Sequence, residues 1–331
     1  MKQSLLIFYI GIVSLVNNIF MLPFILFSML ISDKLKIQWW NSFLISISGI
    51  LKYIYNISIF IDDPELLYTL VDDKYDRSHS VLIQNHLTQI DTIFTLPILS
   101  TKESIPQLTS RAVVFIYTHF ALPGFGMMCY LFNNIMISFN KEKNNADLAA
   151  CKLDSKDLLI LYPEGCLFAK DNKMKADKYC EDNNIEKMKN CIYPRAGAMN
   201  IIHENNRIDE IFSTCIQYDN IKPDEKYKTI LNIDLPKKVF INIKKHTNFD
   251  NIAEKTVSIF RENDKIMDQE IDESKYTLLK PKYIELLCML FHTFIFIGSC
   301  YLLTTSSIAI AYFITMILFY YIYFYINMET I

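Results

Sequence analysis

Apolar positions divide the chain into three zones. Ser4 to Ser32 runs 29 residues without a charged side chain, and Leu286 to Met328 runs 43. Between them, from about Asp62 to Lys282, charged residues crowd and the apolar runs are short. A helix needs about 20 apolar residues to cross a hydrocarbon core. The first run therefore predicts one crossing with slack, or a bent hairpin hinged near Pro23. The last run is long enough for two crossings, with Thr304-Thr-Ser-Ser307 as the turn. The competing readings are buried core helices and, at the start, a cleaved signal peptide. Core helices seldom run so long without a charge. Only Lys2 precedes the first run and no small-residue cleavage site follows it, which favours an anchor. Lys34, Lys36 and Lys52 then place the middle zone on the cytoplasmic side. The expected division is an anchor and interfacial helix over 1–60, a central domain over 61–282 and a C-terminal membrane segment over 283–331.

Ile37 to Phe60 is aromatic and apolar with one lysine. It fits an interfacial helix with Trp39-Trp40 at headgroup level, and equally a helix packed on the domain. Asp62 to Ser80 reads as a loop. Short β-rich runs then alternate with helical ones. Strands are predicted at Val81–Gln84, Ala112–Tyr117, Ile135–Phe139, Asp157–Tyr162, Cys191–Tyr193, Ile211–Tyr218, Thr229–Ile233 and Val239–Ile243. Helices are predicted at His86–Leu99, Gly126–Asn133, Asn144–Leu153, Ala169–Asn184, Ala196–Glu204 and Ile252–Asn263. This alternation predicts an α/β domain with a mainly parallel sheet flanked by helices. In such sheets, sites form at the C-terminal ends of strands.

Composition narrows the function classes. The net charge of -3 offers no basic surface for nucleic acid. The eight cysteines show no C-x-x-C pair, so they read as reduced thiols without a zinc site or disulfide framework. No Gly-x-Ser-x-Gly elbow, P-loop or Gly-x-Gly-x-x-Gly occurs, which sets hydrolases and nucleotide-dependent enzymes aside. Only seven glycines and five arginines are present, so each marks a special backbone or fork-geometry requirement more often than usual.

Four of those glycines fall in three short turns of the central domain. Val81-Leu-Ile-Gln-Asn85-His86 is an apolar strand ending in a histidine, with Asp91 five positions on. Five helical steps turn about 140°, so the pair meets only if His86 lies in a turn before the helix begins. His86 is then a candidate general base and Asp91 its orienting carboxylate. Leu159-Ile-Leu-Tyr-Pro-Glu164-Gly165 puts a carboxylate at another strand end, with a glycine that lets a ligand approach the backbone. Tyr193-Pro-Arg195-Ala-Gly197 puts a guanidinium at a strand-to-helix turn, where it suits a phosphate. Leu122-Pro-Gly124-Phe-Gly126 adds a glycine-rich turn.

These blocks, in this order and rough spacing, resemble the glycerolipid acyltransferases, the membrane-bound family of 1-acylglycerol-3-phosphate and lysophospholipid acyltransferases. The resemblance covers roughly Ser80 to Asp264. Tyr162-Pro-Glu-Gly-Cys-Leu-Phe168 and Tyr193-Pro-Arg-Ala-Gly-Ala198 look most like the lysophosphatidylglycerol and lysocardiolipin acyltransferase branch, as does Glu262-Asn-Asp-Lys265. The resemblance implies acyl transfer from acyl-CoA, as co-substrate, to the free hydroxyl of a lysophospholipid or lysophosphatidate at a bilayer. It implies His86 as base and Asp91 as its partner. Asn85, Gly124, Gly126, Glu164, Gly165 and Arg195 would serve substrate binding, with no metal and no further cofactor. It also implies an integral membrane protein of the endoplasmic reticulum with its active site toward the cytoplasm. Four departures bear on the acceptor. Leu167 stands where many members carry a phosphate-binding Arg, and Cys166 replaces a common Thr. Lys141 is the nearest match to a basic residue usually placed after the glycine-rich turn, and Thr118-His119 stands where a lysine is expected. The alternatives are a phosphatidate-making 1-acylglycerol-3-phosphate acyltransferase and an inactive lipid-binding or membrane-shaping protein on the same fold.

Overall fold

The computed structural model describes residues 6–95, 104–115, 126, 129, 132, 134–222 and 234–329. Among these, eight strands form one sheet: β1 (Ser58–Ile61), β2 (Ser80–Gln84), β3 (Thr109–Phe115), β4 (Ile135–Ile137), β5 (Asp157–Leu161), β6 (Glu210–Tyr218), β7 (Lys238–His246) and β8 (Thr277–Leu278). Their order is β4-β3-β5-β2-β6-β7-β1-β8. Pairs are parallel except β6 with β7 and β8 with β1. The mainly parallel sheet expected from the alternation is therefore present.

The helices are α1 (Ser14–Ile31), α2 (Asp33–Gly49), α3 (Pro64–Leu70), α4 (Asp91–Thr95), α5 (Lys141–Ala150), α6 (Lys170–Asp182), α7 (Gly197–Asn206), α8 (Ile252–Asp268), α9 (Tyr283–Thr305) and α10 (Ser307–Glu329). The sheet separates two cores because strand side chains alternate in direction. Leu82, Leu158, Ile160, Phe212 and Ile216 face the side covered by α1 and α2. Val81, Ile83, Leu159 and Leu161 face Met199, Ile202, Ile259 and Phe260 of α7 and α8. β2 is buried on both faces, which is why it reads as an unbroken apolar run.

Several expectations are corrected. The helix read over Ile37 to Phe60 ends in a π-turn at Ile50–Ile54, and Ser58–Ile61 pairs in parallel with Lys238–Ile241. Trp39 and Trp40 are buried, so α2 packs on the domain, the second of the two placements expected for it. Its Asn41 amide donates to the carbonyls of Pro106 (2.8 Å) and Leu108 (2.7 Å), tying it to the sheet. The loop expected over Asp62 to Ser80 contains α3, for which Asp63 accepts from the Leu66 N–H and Pro64 opens the first turn. No strand occurs at Cys191–Tyr193: the N–H groups of Asn190 and Cys191 go to the Asp264 carboxylate, and that of Ile192 to Glu164. Side-chain carboxylates thus take the donors that a neighbouring strand would have taken. The strand read at Thr229–Ile233 lies outside the described residues.

α1 continues through Pro23, and the chain turns at Ser32, whose hydroxyl accepts from the Lys34 N–H. Leu6–Phe27 and Tyr283–Thr305 are long and apolar enough to cross a membrane. α9 ends at Thr305, inside the polar turn expected there, and the hydroxyl of the next residue, Ser306, caps the start of α10. The C-terminal helices dock on the N-terminal ones through buried polar ties. Glu285 accepts from Lys52 Nζ (2.6 Å), the Ser48 hydroxyl (2.7 Å) and the Lys282 N–H (2.8 Å). Gly49 packs against the backbone there: a Cβ would stand 2.7 Å from the Glu285 carbonyl oxygen.

Candidate active site

β2 lies between β5 and β6 and runs parallel to both, so the C-terminal ends of all three gather at one edge of the sheet. Asn85-His86 follows directly from β2. Residues 87–90 form a bend and a turn, and α4 begins only at Asp91. That delay cancels the 140° problem, and the two side chains meet: His86 Nδ1 lies 3.1 Å from Asp91 Oδ2. Thr88 closes the turn, its N–H donating to Asp91 Oδ2 (2.9 Å) and its hydroxyl to Oδ1 (2.6 Å). A fourth donor, the Tyr218 hydroxyl at the end of β6, reaches Asp91 Oδ1 at 2.5 Å. Asp91 is fully buried, whereas the His86 side chain keeps 20% of its surface exposed. His86 Nε2 makes no hydrogen bond among the described residues, and the Tyr162 ring lies against the imidazole, centroids 4.2 Å apart.

The Pro-Glu-Gly turn after β5 supports this arrangement from behind. Glu164 is fully buried; Oε1 accepts from the His86 N–H (2.9 Å) and Oε2 from the Ile192 N–H (3.1 Å). Burial pushes its carboxyl up to about 8, the Asp91 and Asp264 charges add to this, and the two N–H donors oppose it. Gly165 has φ +67°, a conformation that favours glycine, and its N–H donates to the Tyr162 carbonyl (2.9 Å). The Arg195 N–H donates to the Pro163 carbonyl (2.6 Å), so the exposed guanidinium leaves the chain beside this turn, its Cδ 3.6 Å from where a Gly165 Cβ would sit. Burial raises the Cys166 thiol above its usual range, with Arg195 opposing, so it stands as a thiol rather than a thiolate nucleophile.

The structure therefore brings His86, Asp91, Glu164, Gly165 and Arg195 to one edge. Asn85 is buried there too, but its amide is committed to β6, donating to the Ile216 carbonyl (3.1 Å) and accepting from the Ile216 N–H (2.8 Å). Gly126 is buried in helical conformation. Gly124 and Thr118-His119 lie outside the described residues. Leu167, half-buried beside the site, brings no charge where a phosphate-binding arginine is common. Lys141 is exposed at the first turn of α5, next to the Asn140 cap. Among the described residues, no group of three or more His, Cys, Asp or Glu is arranged to hold a metal ion.

Sequence reasoning missed Thr88, Tyr162, Tyr218 and Asp264. Thr88 had a local signal, a threonine three residues before an acid at a helix start. Tyr162 stands out in the sequence only as part of the Pro-Glu-Gly block. Asp264 stands in the sequence only within Glu262-Asn-Asp-Lys265, 73 residues from its partner Cys191, and nothing local reveals Tyr218, 127 residues from Asp91.

The chain is similar to several curated proteins. Lysocardiolipin acyltransferase 1 of Gallus gallus is 24% identical over 177 residues, covering 50% of this chain and 46% of that protein. The Mus musculus protein of the same name is 23% identical over the same length, covering 50% and 46%. A Caenorhabditis elegans protein named as a putative 1-acyl-sn-glycerol-3-phosphate acyltransferase is 25% identical over 155 residues, covering 44% and 38%. The chain thus spans less than half the length of these relatives. No family model matches the chain, and no solved structure gives a significant match. Motifs and relatives lead to the same place: the chain is a relative of the glycerolipid acyltransferases.

Proposed function

We propose that the protein is an integral membrane O-acyltransferase that moves a fatty acyl group from acyl-CoA to the free hydroxyl of a lysophospholipid. One observation carries this reading: an imidazole held at Nδ1 by a buried carboxylate, with no hydrogen bond at Nε2 among the described residues and a fifth of its side-chain surface exposed. In that geometry Nε2 takes the proton of the acceptor hydroxyl, and Asp91 stabilises the imidazolium that forms. The hydroxyl oxygen bonds to the thioester carbonyl carbon, the carbon–sulfur bond breaks, and the proton returns from Nε2 to the leaving thiolate. No acyl-enzyme is needed. Glu164 and Gly165 hold the turn against which the acceptor lies, and Arg195 meets its phosphate. Leu167 shifts the preference from a bare lysophosphatidate toward a larger headgroup.

The C. elegans relative's name keeps phosphatidate synthesis as the second reading. An acceptor panel with purified protein separates the two. Strong preference for lysophosphatidate over lysophosphatidylglycerol, lysocardiolipin and lysophosphatidylethanolamine would overturn the first. His86→Ala is expected to abolish CoA release with every acceptor while leaving expression intact. Lipid binding without CoA release from the wild-type protein would favour the inactive reading. Because acyl-CoA is made in the cytosol, the active edge is assigned to the cytoplasmic face of the endoplasmic reticulum. Protease accessibility of the central domain in sealed microsomes tests that assignment.

A further inference from the structure

Asp91 is unusually well provided with donors for a residue whose task is to hold one histidine. Oδ2 takes the Thr88 N–H and His86 Nδ1, and Oδ1 takes the Thr88 and Tyr218 hydroxyls. Two bonds per oxygen fill a carboxylate's acceptor capacity. Three of the four donors belong to the same turn as Asp91. Tyr218 alone comes from another strand, and it holds the only donor that can be removed without rebuilding the turn. Its ring is buried against Phe94, centroids 5.5 Å apart, so the hydroxyl has one direction to point. Burial and the Asp91 charge push the phenol well above its usual range, so it remains a donor throughout the working pH range.

We propose that Tyr218 is a positioning residue of the acyl-transfer site, its hydroxyl drawing charge from Asp91 and thereby setting how strongly Asp91 holds the proton on His86. This rests on the reading of His86 as the base. A short bond from a hydroxyl to a carboxylate is strong because it is charge-assisted. Removing it concentrates the Asp91 charge on the imidazole and favours the imidazolium. The other titratable groups facing this pair are Glu164 at the His86 N–H and Tyr162 against the His86 ring, and both stay in place when the Tyr218 hydroxyl is lost.

The test reads His86 directly. The imidazole C–H resonance is followed against pH in the full-length protein in detergent micelles, and assigned among the six histidines by its absence in His86→Ala. Tyr218→Phe keeps the ring and is expected to raise the His86 midpoint by up to about one pH unit. The acidic limb of kcat/KM for acyl transfer should move up with it. Tyr218→3-fluorotyrosine, introduced at this one site, keeps the packing and strengthens the donor; it should lower the midpoint. The second variant also serves if the first folds poorly. A residue that merely filled space would change the melting temperature and leave both midpoints alone, and unmoved midpoints overturn the proposal. Opposite shifts in the two variants, in a wild-type protein that releases no CoA with any acceptor, would leave Tyr218 tuning His86 and overturn only the acyl-transfer reading.

Discussion

Two histidines in this molecule are spent in opposite ways. His292, in the middle of α9, is fully buried, and both ring nitrogens are engaged by the fold. Nε2 lies 2.9 Å from the Ser42 hydroxyl, and Nδ1 lies 3.5 Å from Asn17 Nδ2, on helices α2 and α1. The rings of Trp39 (4.8 Å) and Phe43 (5.5 Å) enclose it. His86 has one nitrogen on a buried carboxylate, while the other makes no hydrogen bond among the described residues and its side chain reaches the surface. A histidine with both nitrogens consumed by neutral partners joins helices; it has nothing left with which to move a proton. One with a charged partner behind and an unspent nitrogen in front is equipped to do so. On the proposed function, the same residue type is structural in one place and reactive in the other, and the difference lies in its partners.

Exchanging these roles by mutation is the sharpest test. His86→Ala should lower the acyl-transfer rate by roughly 10²- to 10⁴-fold with little change in melting temperature. His292→Ala should do the reverse, retaining activity per folded molecule while losing about 1–3 kcal/mol of stability through the unpartnered groups it leaves buried. Rates per folded molecule, set beside thermal unfolding in micelles, decide between the two; a His292→Ala protein that is stable but dead would erase the distinction.

The helix junction also contains a buried ion pair, Lys52–Glu285. Glu285→Ala leaves Lys52 buried and uncompensated, and should cost about 3–5 kcal/mol. Replacing both partners by methionine should recover most of that loss, because the desolvation of two charges disappears with them. If the single variant unfolds at the wild-type denaturant midpoint, the tie between the N- and C-terminal helices is weaker than drawn.

Smaller effects separate two glycines. Gly49→Ala drives a Cβ into the Glu285 backbone and should cost about 1–3 kcal/mol. Gly298→Ala meets nothing within 4 Å and should be neutral or slightly stabilising through helix propensity. Equal melting temperatures for the two variants would contradict the close approach of α2 and α9.

A further effect concerns pH. Glu164, carried from the ordinary 4.5 up to about 8 by burial, binds its proton more readily folded than unfolded. Its contribution to stability is therefore fully present below about 4.5 and is lost as pH rises through about 8. Glu164→Gln should flatten this decline, measured as unfolding free energy across that window. A decline as steep as in the wild type would assign the pH dependence to other groups.

Reading the chain by pattern worked where a segment's own side chains decide its state. β2 and β5 are continuous apolar runs broken by Asn-His and Pro-Glu-Gly, and α6 is a long charged amphipathic run; all three lie where periodicity put them. It failed where the partner decides. Ser58–Ile61 continues an aromatic, apolar run that looks helical, and only pairing with β7 makes it a strand. Cys191–Tyr193 looks like a strand, but Asp264 and Glu164 take its backbone donors. Scarcity was a useful guide among the arginines. Arg77 spreads its fork over the carbonyls of Leu70, Tyr75, Ser155 and Asp72, while Arg195 stands exposed at the site.

By itself, the sequence determined the alternation of strands and helices, the two long apolar runs at the ends, and the positions of His86, Asp91, Glu164, Gly165 and Arg195 at element boundaries. Each of these depends on residues within a few positions of one another. Tertiary structure alone decided that α4 waits until Asp91, so that the His–Asp pair can close. It also brought Glu164 under the His86 backbone and the Tyr218 hydroxyl to Asp91, 127 positions away in the chain. Such contacts arise from which strands become neighbours in the sheet, and strand order is a property of the packed domain that no local run of residues carries.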